Sequence, residues 1–283
     1  MMQSFEKISD LRKVLKNERM NGKSISLVPT MGFLHEGHMS LIKEARKNND
    51  IVVVSIFVNP TQFGPNEDLE TYPRDLEKDS MLCEKEGVDY IFNPTVKEMY
   101  LDNYATFVDT TSNITNRLCG ASRDGHFRGV MSVVAKLFNI VNPDRAYFGR
   151  KDYQQVAVIK KMVNDLNFNV EIVDCEIVRE KDGLALSSRN TYLSKEQRID
   201  ALVLSRSLKE AKEEIFNGER NKEKIVNGIL DKISKVTYSV VDYVEVLDAK
   251  TLEDIEEINR DVVIALAVNI GKPRLIDNII VEV

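Results

Sequence analysis

Apolar and polar positions alternate in blocks along the first 180 residues. Residues 25–30 (ISLVPT) and 51–58 (IVVVSIFV) are short apolar runs bounded by polar sequence. The second is apolar over its length, as a central parallel strand covered on both faces would be. Between them, GHMSLIKEARKNN carries Met39, Ile42 and Ala45 at helical spacing. Strand, helix and strand within about 35 residues predict a βαβ unit with a right-handed crossover. The alternation continues with a helix in DLEKDSMLCEKEG, a strand over 89–94 (DYIFNP) and a helix in HFRGVMSVVAKLFNIVN. That last helix places Phe127, Val130, Val134, Leu137 and Val141 on one face. A short strand (RAYFG, 145–149), a helix (DYQQVAVIKKMVNDL) and a strand over 170–178 (VEIVDCEIV) close the series. This is a doubly wound α/β pattern, which binds ligands at the C-terminal ends of its parallel strands.

The pattern changes near residue 177. SKEQRIDALVLSRSLKEAKEEIFNGE opens with Ser194 and Gln197 at capping-box spacing and predicts a long helix. A second helix is expected around 222–235, followed by three β-rich runs: SVVDYVEVLD, DVVIALAVNI and RLIDNIIVEV. Helices followed by consecutive strands predict a smaller α+β domain with a mainly antiparallel sheet. The expected organisation is a Rossmann-like, doubly wound parallel-sheet domain over 1–176 and a smaller C-terminal α+β lid domain over 177–283.

Composition adds limits. The chain has 283 residues, 43% hydrophobic and 30% charged, with a net charge of -6. An acidic balance argues against general nucleic-acid binding, which calls for a basic face, but leaves room for a small anion in a local basic pocket. Cys83, Cys119 and Cys175 are widely spaced and form no CxxC pair, so neither a zinc knuckle nor a disulfide framework is supported. The first twenty residues lack an apolar segment of signal-peptide length, and no stretch approaches the roughly 20 apolar residues of a membrane span. These features lead us to expect a cytoplasmic protein that binds no membrane.

Two of the three histidines, His35 and His38, lie in PTMGFLHEGH. Pro29, Thr30, Met31 and Gly32 end the first strand and the next helix begins near Gly37. The histidines therefore fall where free backbone N–H groups and the positive end of the helix dipole gather, an anion site. Gly32 and Gly37 allow a ligand close to the backbone. The alternatives are polar caps at a helix start, or a metal site. HEGH is one residue short of the HExxH zinc motif, and the one other histidine is His126. No Walker A loop is present.

His35-Glu36-Gly37-His38 resembles the HxGH signature of the nucleotidyltransferase superfamily, which includes class I aminoacyl-tRNA synthetases. The wider match is narrower. PTMGFLHEGHMSLI, VVVSIFVNPTQFGPNEDLETYPRDLEKD, DGHFRGVMSVVAKLFNIVNPDRAYFGRKDYQQ and LALSSRNTYLS occur in the order and spacing of the pantothenate synthetase family, over roughly residues 25 to 195. The last hundred residues fit that family by length and position.

The resemblance implies a two-step ligation. Pantoate and ATP would give pantoyl adenylate and pyrophosphate, with Mg2+ accompanying ATP. β-Alanine would then displace AMP. The family is usually homodimeric. Carried over residue by residue, the ATP contacts fall on Met31, Gly32, Phe33, Leu34, His35, Glu36, Gly37 and His38, on Gly149, Arg150, Lys151 and Asp152, and on Val178, Leu186, Ser187, Ser188 and Arg189. His38 is the implied proton donor. His35, Lys151, Ser187, Ser188 and Arg189 complete the catalytic set, and Asp152 is the magnesium contact. Arg150 stands where the family often has an acid, so it is given no role of its own. Asn59, Gln62 and Gln155 would bind pantoate, and Gln62 would also meet β-alanine.

These residue types suit the chemistry. Adenylation builds negative charge on the α-phosphate and the leaving pyrophosphate, so fixed donors aimed there are the main catalytic resource. Ser187, Ser188 and Arg189 offer two hydroxyls and a fork-shaped cation. Amides both donate and accept, as a substrate with a carboxylate and two hydroxyls requires. Each residue also has a plainer alternative: Lys151 a solvated lysine, Asp152 a helix cap, SSRN an ordinary polar loop, and Asn59 a turn former before Pro60. The stretch GPNEDLETYPRDLEKD, polar and irregular at its start, is expected to form a mobile wall over the site. Two other functions stay open at this point. A nucleotidyltransferase acting on a phosphorylated acceptor would want a basic acceptor pocket instead of Asn59, Gln62 and Gln155. A non-catalytic nucleotide-binding protein would not need two phosphate-contacting motifs plus an amide pocket.

Overall fold

The computed structural model describes residues 2–65 and 67–283. In chain order its elements are β1 (Gln3–Phe5), α1 (Ile8–Met20), β2 (Ile25–Thr30), α2 (Glu36–Asn48), β3 (Ile51–Ile56), α3 (Leu76–Lys85), β4 (Tyr90–Phe92), α4 (Val96–Met99), α5 (Cys119–Ser122), α6 (His126–Val141), β5 (Arg145–Gly149), α7 (Tyr153–Asp165), β6 (Glu171–Cys175), α8 (Lys195–Phe216), α9 (Lys222–Ile233), β7 (Ser239–Asp248), β8 (Val262–Ile270) and β9 (Arg274–Val281). They form two compact units.

The first unit comprises Met1–Thr111, Arg123–Arg150 and Val158–Glu176. Its six strands lie in the order β1-β4-β3-β2-β5-β6, and every pairing is parallel. The expected α/β class is what the chain adopts. The apolar runs at β2 and β3 are buried almost throughout, because helices cover both faces of a parallel sheet. Met39, Ile42 and Ala45 of α2 pack on Val28, Val52 and Val54. Helix α6 is apolar nearly all round, and thirteen of its sixteen residues are buried. It ends at Asn142, which takes the left-handed conformation (φ 49°) before Pro143. Strand order reverses between β2 and β5, so their C-terminal ends, Thr30 and Gly149, flank a topological switch point.

The second unit comprises Ser112–Ser122, Lys151–Ala157 and Ile177–Val283. The segments 112–122 and 151–157, placed in the first domain by sequence, belong here by their packing. Strands β7, β8 and β9 form an antiparallel sheet in that order. Its apolar face packs with Leu204, Leu208 and Ile215 of α8 and Ile225, Ile229 and Ile233 of α9. The expected capping box opens α8: Ser194 Oγ accepts from Gln197 N at 3.2 Å and Gln197 Oε1 accepts from Ser194 N at 3.0 Å.

Candidate active site

In the first unit the chain leaves β2 through Met31, Gly32, Phe33 and Leu34. Gly32 (φ 82°) and Phe33 (φ 51°) are both left-handed, a conformation that costs a non-glycine residue about 1–2 kcal/mol. A side chain at Gly32 would also press on Asp79 Oδ2 and Ile56 Cγ2, each 3.0 Å from an added Cβ. What holds this turn is Asp79 of α3, 1% exposed. Its two oxygens accept from Phe33 N at 2.8 Å and Leu34 N at 2.7 Å. Burial pushes the Asp79 carboxyl above its ordinary range, although those two N–H groups favour the charged form.

The next residues form a cap made of two imidazoles. His35 Nδ1 accepts from Gly37 N at 3.1 Å, and His38 Nδ1 accepts from His35 N at 3.2 Å. The rings lie with centroids 4.1 Å apart. A ring nitrogen that accepts carries no proton, so this network assigns the proton of each neutral ring to Nε2. Capping therefore uses one atom of each side chain, and does not by itself exclude the anion contact that the sequence offered as its alternative. Nδ1 caps the helix, and Nε2–H is a donor at the positive end of the helix dipole. Glu36, also at this turn, is exposed.

The residues after β3 are tied to α6. Asn59 is 1% exposed. Its Oδ1 accepts from Tyr100 Oη at 2.7 Å, Thr61 Oγ1 at 3.0 Å and Thr61 N at 3.3 Å. Its Nδ2 donates to Gln62 Oε1 at 3.0 Å and to Gly129 O at 3.2 Å. Both polar atoms of Asn59 are thus engaged inside the chain, and it builds the turn Pro60–Gln62. Gln62 faces otherwise: its Nε2 donates to the Met31 thioether at 3.3 Å, a weak acceptor that an oxygen ligand would outcompete. The turn lies so close to α6 that a Cβ on Gly129 would be 2.2 Å from Thr61 O and 2.7 Å from Gln62 Cα.

A second group of residues here escaped sequence reasoning. His126, 8% exposed, has Nδ1 at 2.8 Å from Gln62 O and Nε2 at 3.0 Å from Arg123 Nη1. A guanidinium only donates, so Nε2 accepts and Nδ1–H donates to the Gln62 carbonyl. Arg123 also forks onto Glu67 at 2.7 and 2.6 Å. Burial would raise the Glu67 carboxyl, but the Arg123 fork and charge hold it below the ordinary range. The expected wall over 64–79 begins at this contact. Tyr72 is buried there, edge-on to Phe63, while Asn66 lies outside the described residues.

At the end of β5, an added Cβ on Gly149 would meet nothing within 4 Å. Arg150 donates through Nε to Asp174 Oδ2 at 2.9 Å. Burial alone would raise the Asp174 carboxyl, but Arg150 and Lys160 hold it below its usual range.

The remaining candidates belong to the second unit. Lys151 Nζ lies 3.7 Å from Asp152 Oδ2, and Asp152 is half exposed. Gln155 is half-buried, and its amide has no partner among the described residues, unlike its neighbour Gln154, which donates to Ile114 O and Arg117 O at 2.8 and 2.6 Å. Residues 178–186 form a tight hairpin: Leu186 N donates to Val178 O at 3.0 Å and Glu180 N to Leu184 O at 2.8 Å. It delivers the chain to Ser187, whose Oγ accepts from Arg189 N at 3.3 Å and caps the turn Ser188–Tyr192. A hydroxyl that accepts keeps its own hydrogen for donation. Asn190 Nδ2 donates to Glu180 Oε1 and Ala185 O, and Arg198 holds Glu180 and Asp182. The loop that carries Ser187, Ser188 and Arg189 is thereby fixed from both ends.

Among the described residues, no group of three His, Cys, Asp or Glu side chains is placed to hold a metal ion. The three cysteines are free thiols. Among the described residues, no helix is long and apolar enough to cross a membrane.

Comparison with known proteins gives concordant results. The family model for pantoate-beta-alanine ligase matches residues 3–280. A pantothenate synthetase of Acetivibrio thermocellus is 60% identical over 282 residues, covering all of both chains. One of Clostridium novyi is 58% identical over 99% of this chain and 98% of its own. The crystal structure of pantothenate synthetase from Thermus thermophilus superposes with a TM-score of 0.93 at 44% identity, covering 98% of this chain and 99% of that one. The pantoate-beta-alanine ligase of Francisella tularensis, solved with beta-gamma ATP and beta-alanine, gives 0.79 at 38% identity, covering 99% and 97%.

Proposed function

The chain belongs to the pantoate-beta-alanine ligase family, and we propose how its own residues perform the ATP-dependent ligation of pantoate and β-alanine. The route is the two-step one: pantoate attacks the α-phosphate, pyrophosphate leaves, and β-alanine displaces AMP from pantoyl adenylate. His35 and His38 donate from Nε2 to phosphate oxygens where charge grows. The mutual Nδ1 cap fixes both rings before substrate arrives, so little reorganisation accompanies the reaction. Lys151, Ser187, Ser188 and Arg189 supply further donors to the leaving pyrophosphate, and Met31 to Leu34, Glu36, Gly37, Gly149, Val178 and Leu186 line ATP.

Gln62 and Gln155 bind the pantoate carboxylate and hydroxyls, because their amides retain capacity for a ligand. Asn59, whose polar atoms are already engaged, acts by orienting Gln62. A magnesium ion that arrives on ATP needs one or two protein carboxylates. Asp152, half exposed beside Lys151, suits that demand and would hold it, and the ion would neutralise phosphate charge. By family resemblance we further propose a homodimer acting in the cytoplasm.

The observation that carries this reading is the double-imidazole cap, in which Nδ1 of each ring accepts a main-chain N–H at a helix N-terminus and the ring proton falls on Nε2. The test is isotope exchange between pyrophosphate and ATP. Pantoate alone should support exchange. Exchange that strictly required β-alanine would overturn the two-step route.

A further inference from the structure

Strand β9 reads RLIDNIIV, an apolar strand interrupted by two adjacent polar residues. Alternation puts Leu275, Asp277, Ile279 and Val281 on one side, and Ile276, Asn278 and Ile280 on the other. The first side packs into the core of the second unit. Asp277 is 3% exposed and Asn278 4%. A carboxylate and an amide buried in a sheet destabilise it unless each is paired, so the destinations of their bonds are informative.

Asp277 accepts the Arg179 fork, Oδ2 from Nη1 at 2.7 Å and Oδ1 from Nη2 at 2.9 Å. Arg179 Nη1 also donates to Gly183 O at 3.1 Å. Arg179 and Gly183 belong to the hairpin that delivers Ser187, Ser188 and Arg189. On the opposite side of the strand, Asn278 Nδ2 donates to the backbone carbonyl of Lys151 at 3.0 Å. The partner there is a carbonyl, so the amide atom facing it is the nitrogen. Asp277 Oδ1 also accepts from Asn278 N at 2.8 Å, which couples the pair. Two neighbouring residues of one strand, facing opposite ways, thus hold the two segments of this unit that carry candidate phosphate donors.

We propose that Asp277 and Asn278 are positioning residues for adenylation: Asn278 sets the backbone of Lys151, and Asp277, through Arg179, sets the hairpin before Ser187. The inference rests on the reading of Lys151, Ser187, Ser188 and Arg189 as phosphate-contacting groups. A small displacement of a reacting group lowers a rate by about a hundredfold, so the pair acts on rate beyond its part in folding.

The main variant is Asn278→Asp. It keeps the shape, but a carboxylate cannot donate to a carbonyl, whereas its protonated form can. Pyrophosphate–ATP exchange with pantoate should fall about tenfold or more at alkaline pH. The ratio of variant to wild type should recover as pH is lowered through the new carboxyl's titration, a rescue that a role confined to folding does not produce. In a Lys151→Ala background the loss should shrink to about twofold or less, because residues acting through one another are not additive. Arg179→Lys, which keeps the charge beside Asp277 but not the fork, tests the other arm and should also lose about tenfold. If Asn278→Asp is too unstable to purify, Asn278→Ala in the same two backgrounds takes its place.

Wild-type exchange in Asn278→Asp and Arg179→Lys would overturn the proposal, as would a loss undiminished in the Lys151→Ala background. If Lys151→Ala itself exchanged at the wild-type rate, the reading of Lys151 would fall instead, a result distinguishable from failure of the pair.

Discussion

His38 has two nitrogens with separate tasks, and substitutions can remove one at a time. Nδ1 accepts from His35 N at 3.2 Å, a bond of the kind that contributes about 0.5–1.5 kcal/mol. Nε2 is the proposed donor to phosphate, and removing one preorganised donor costs about 2.7–4 kcal/mol in the chemical step, or 10²–10³ in rate. The catalytic contribution therefore exceeds the capping one severalfold. An asparagine at this position places its amide near Nδ1, so His38→Asn retains an acceptor for the cap and loses Nε2. A glutamine reaches the Nε2 position, so His38→Gln keeps a donor and loses the cap. His38→Ala loses both. We expect His38→Asn to melt near wild type while adenylate formation falls at least about a hundredfold. His38→Gln should lose about 1 kcal/mol of stability and retain more adenylation than His38→Asn. Single-turnover measurement of the two half-reactions decides this. Aminolysis of supplied pantoyl adenylate should change little, because the pyrophosphate has gone by then. If the rates followed the cap, with His38→Asn near wild type and His38→Gln slow, the assignment of Nε2 to the phosphates would be refuted.

Asp79→Asn should lose one of two loop bonds, about 1–3 kcal/mol, and slow pyrophosphate–ATP exchange by displacing residues 32–35. Because the folded Asp79 carboxyl lies above its unfolded value, its stabilisation is present below the unfolded pKa and lost as pH rises through the folded one. The deficit of the variant in urea melts should therefore narrow with rising pH; a widening deficit would contradict this. Gln62→Ala and Gln155→Ala should each weaken pantoate use by about 1–3 kcal/mol with ATP binding nearly unchanged, and unaltered pantoate kinetics would remove that residue from the site. Alanine favours a helix over glycine by about 1 kcal/mol, yet Gly129→Ala should destabilise the chain and raise KM for pantoate, since its Cβ would meet the backbone of Thr61 and Gln62. A higher Tm with unchanged kinetics would show that the turn yields freely.

The elements legible in the sequence are those whose burial imposes a period. Strands β2 and β3 and helices α2, α6 and α8 fall where apolar spacing put them, with errors at the ends: the run read as 51–58 pairs only to Ile56, and that read as 89–94 pairs over Tyr90–Phe92. Helix α1 leaves little periodic signal in the sequence, because in that charged segment two side chains alone, Leu11 and Leu15, are buried. Strand β1 is three residues long at a sheet edge and gives no periodic signal. Segments 112–122 and 151–157 join the second unit through contacts that leave no local trace. The histidine turn and the SSRN loop stand out in the sequence as candidates because their polar residues are consecutive, and each forms a local cap. Their supports do not stand out: Asp79 meets Leu34 across 45 residues, His126 meets Gln62 across 64, and Asn278 meets Lys151 across 127.

Those supports share one physical signature. Asp79, His126, Asp277 and Asn278 are polar and less than one-tenth exposed, in elements whose other buried positions are largely apolar. Burying such groups opposes folding, and an apolar residue of similar volume would often be as stable or more so. Each instead directs its bonds to the main chain or hairpin that presents a candidate substrate-contacting group: Phe33 and Leu34 before the histidines, the carbonyl of Gln62, the hairpin before Ser187, and the carbonyl of Lys151. Main-chain anchoring suits this task, because it fixes where a side chain starts without occupying the atoms it must offer to substrate. A reaction driven by aligned donors and little covalent participation from protein depends on that placement. Buried polar residues that terminate on the backbone of a site loop are therefore the places where substitution should affect rate more than stability.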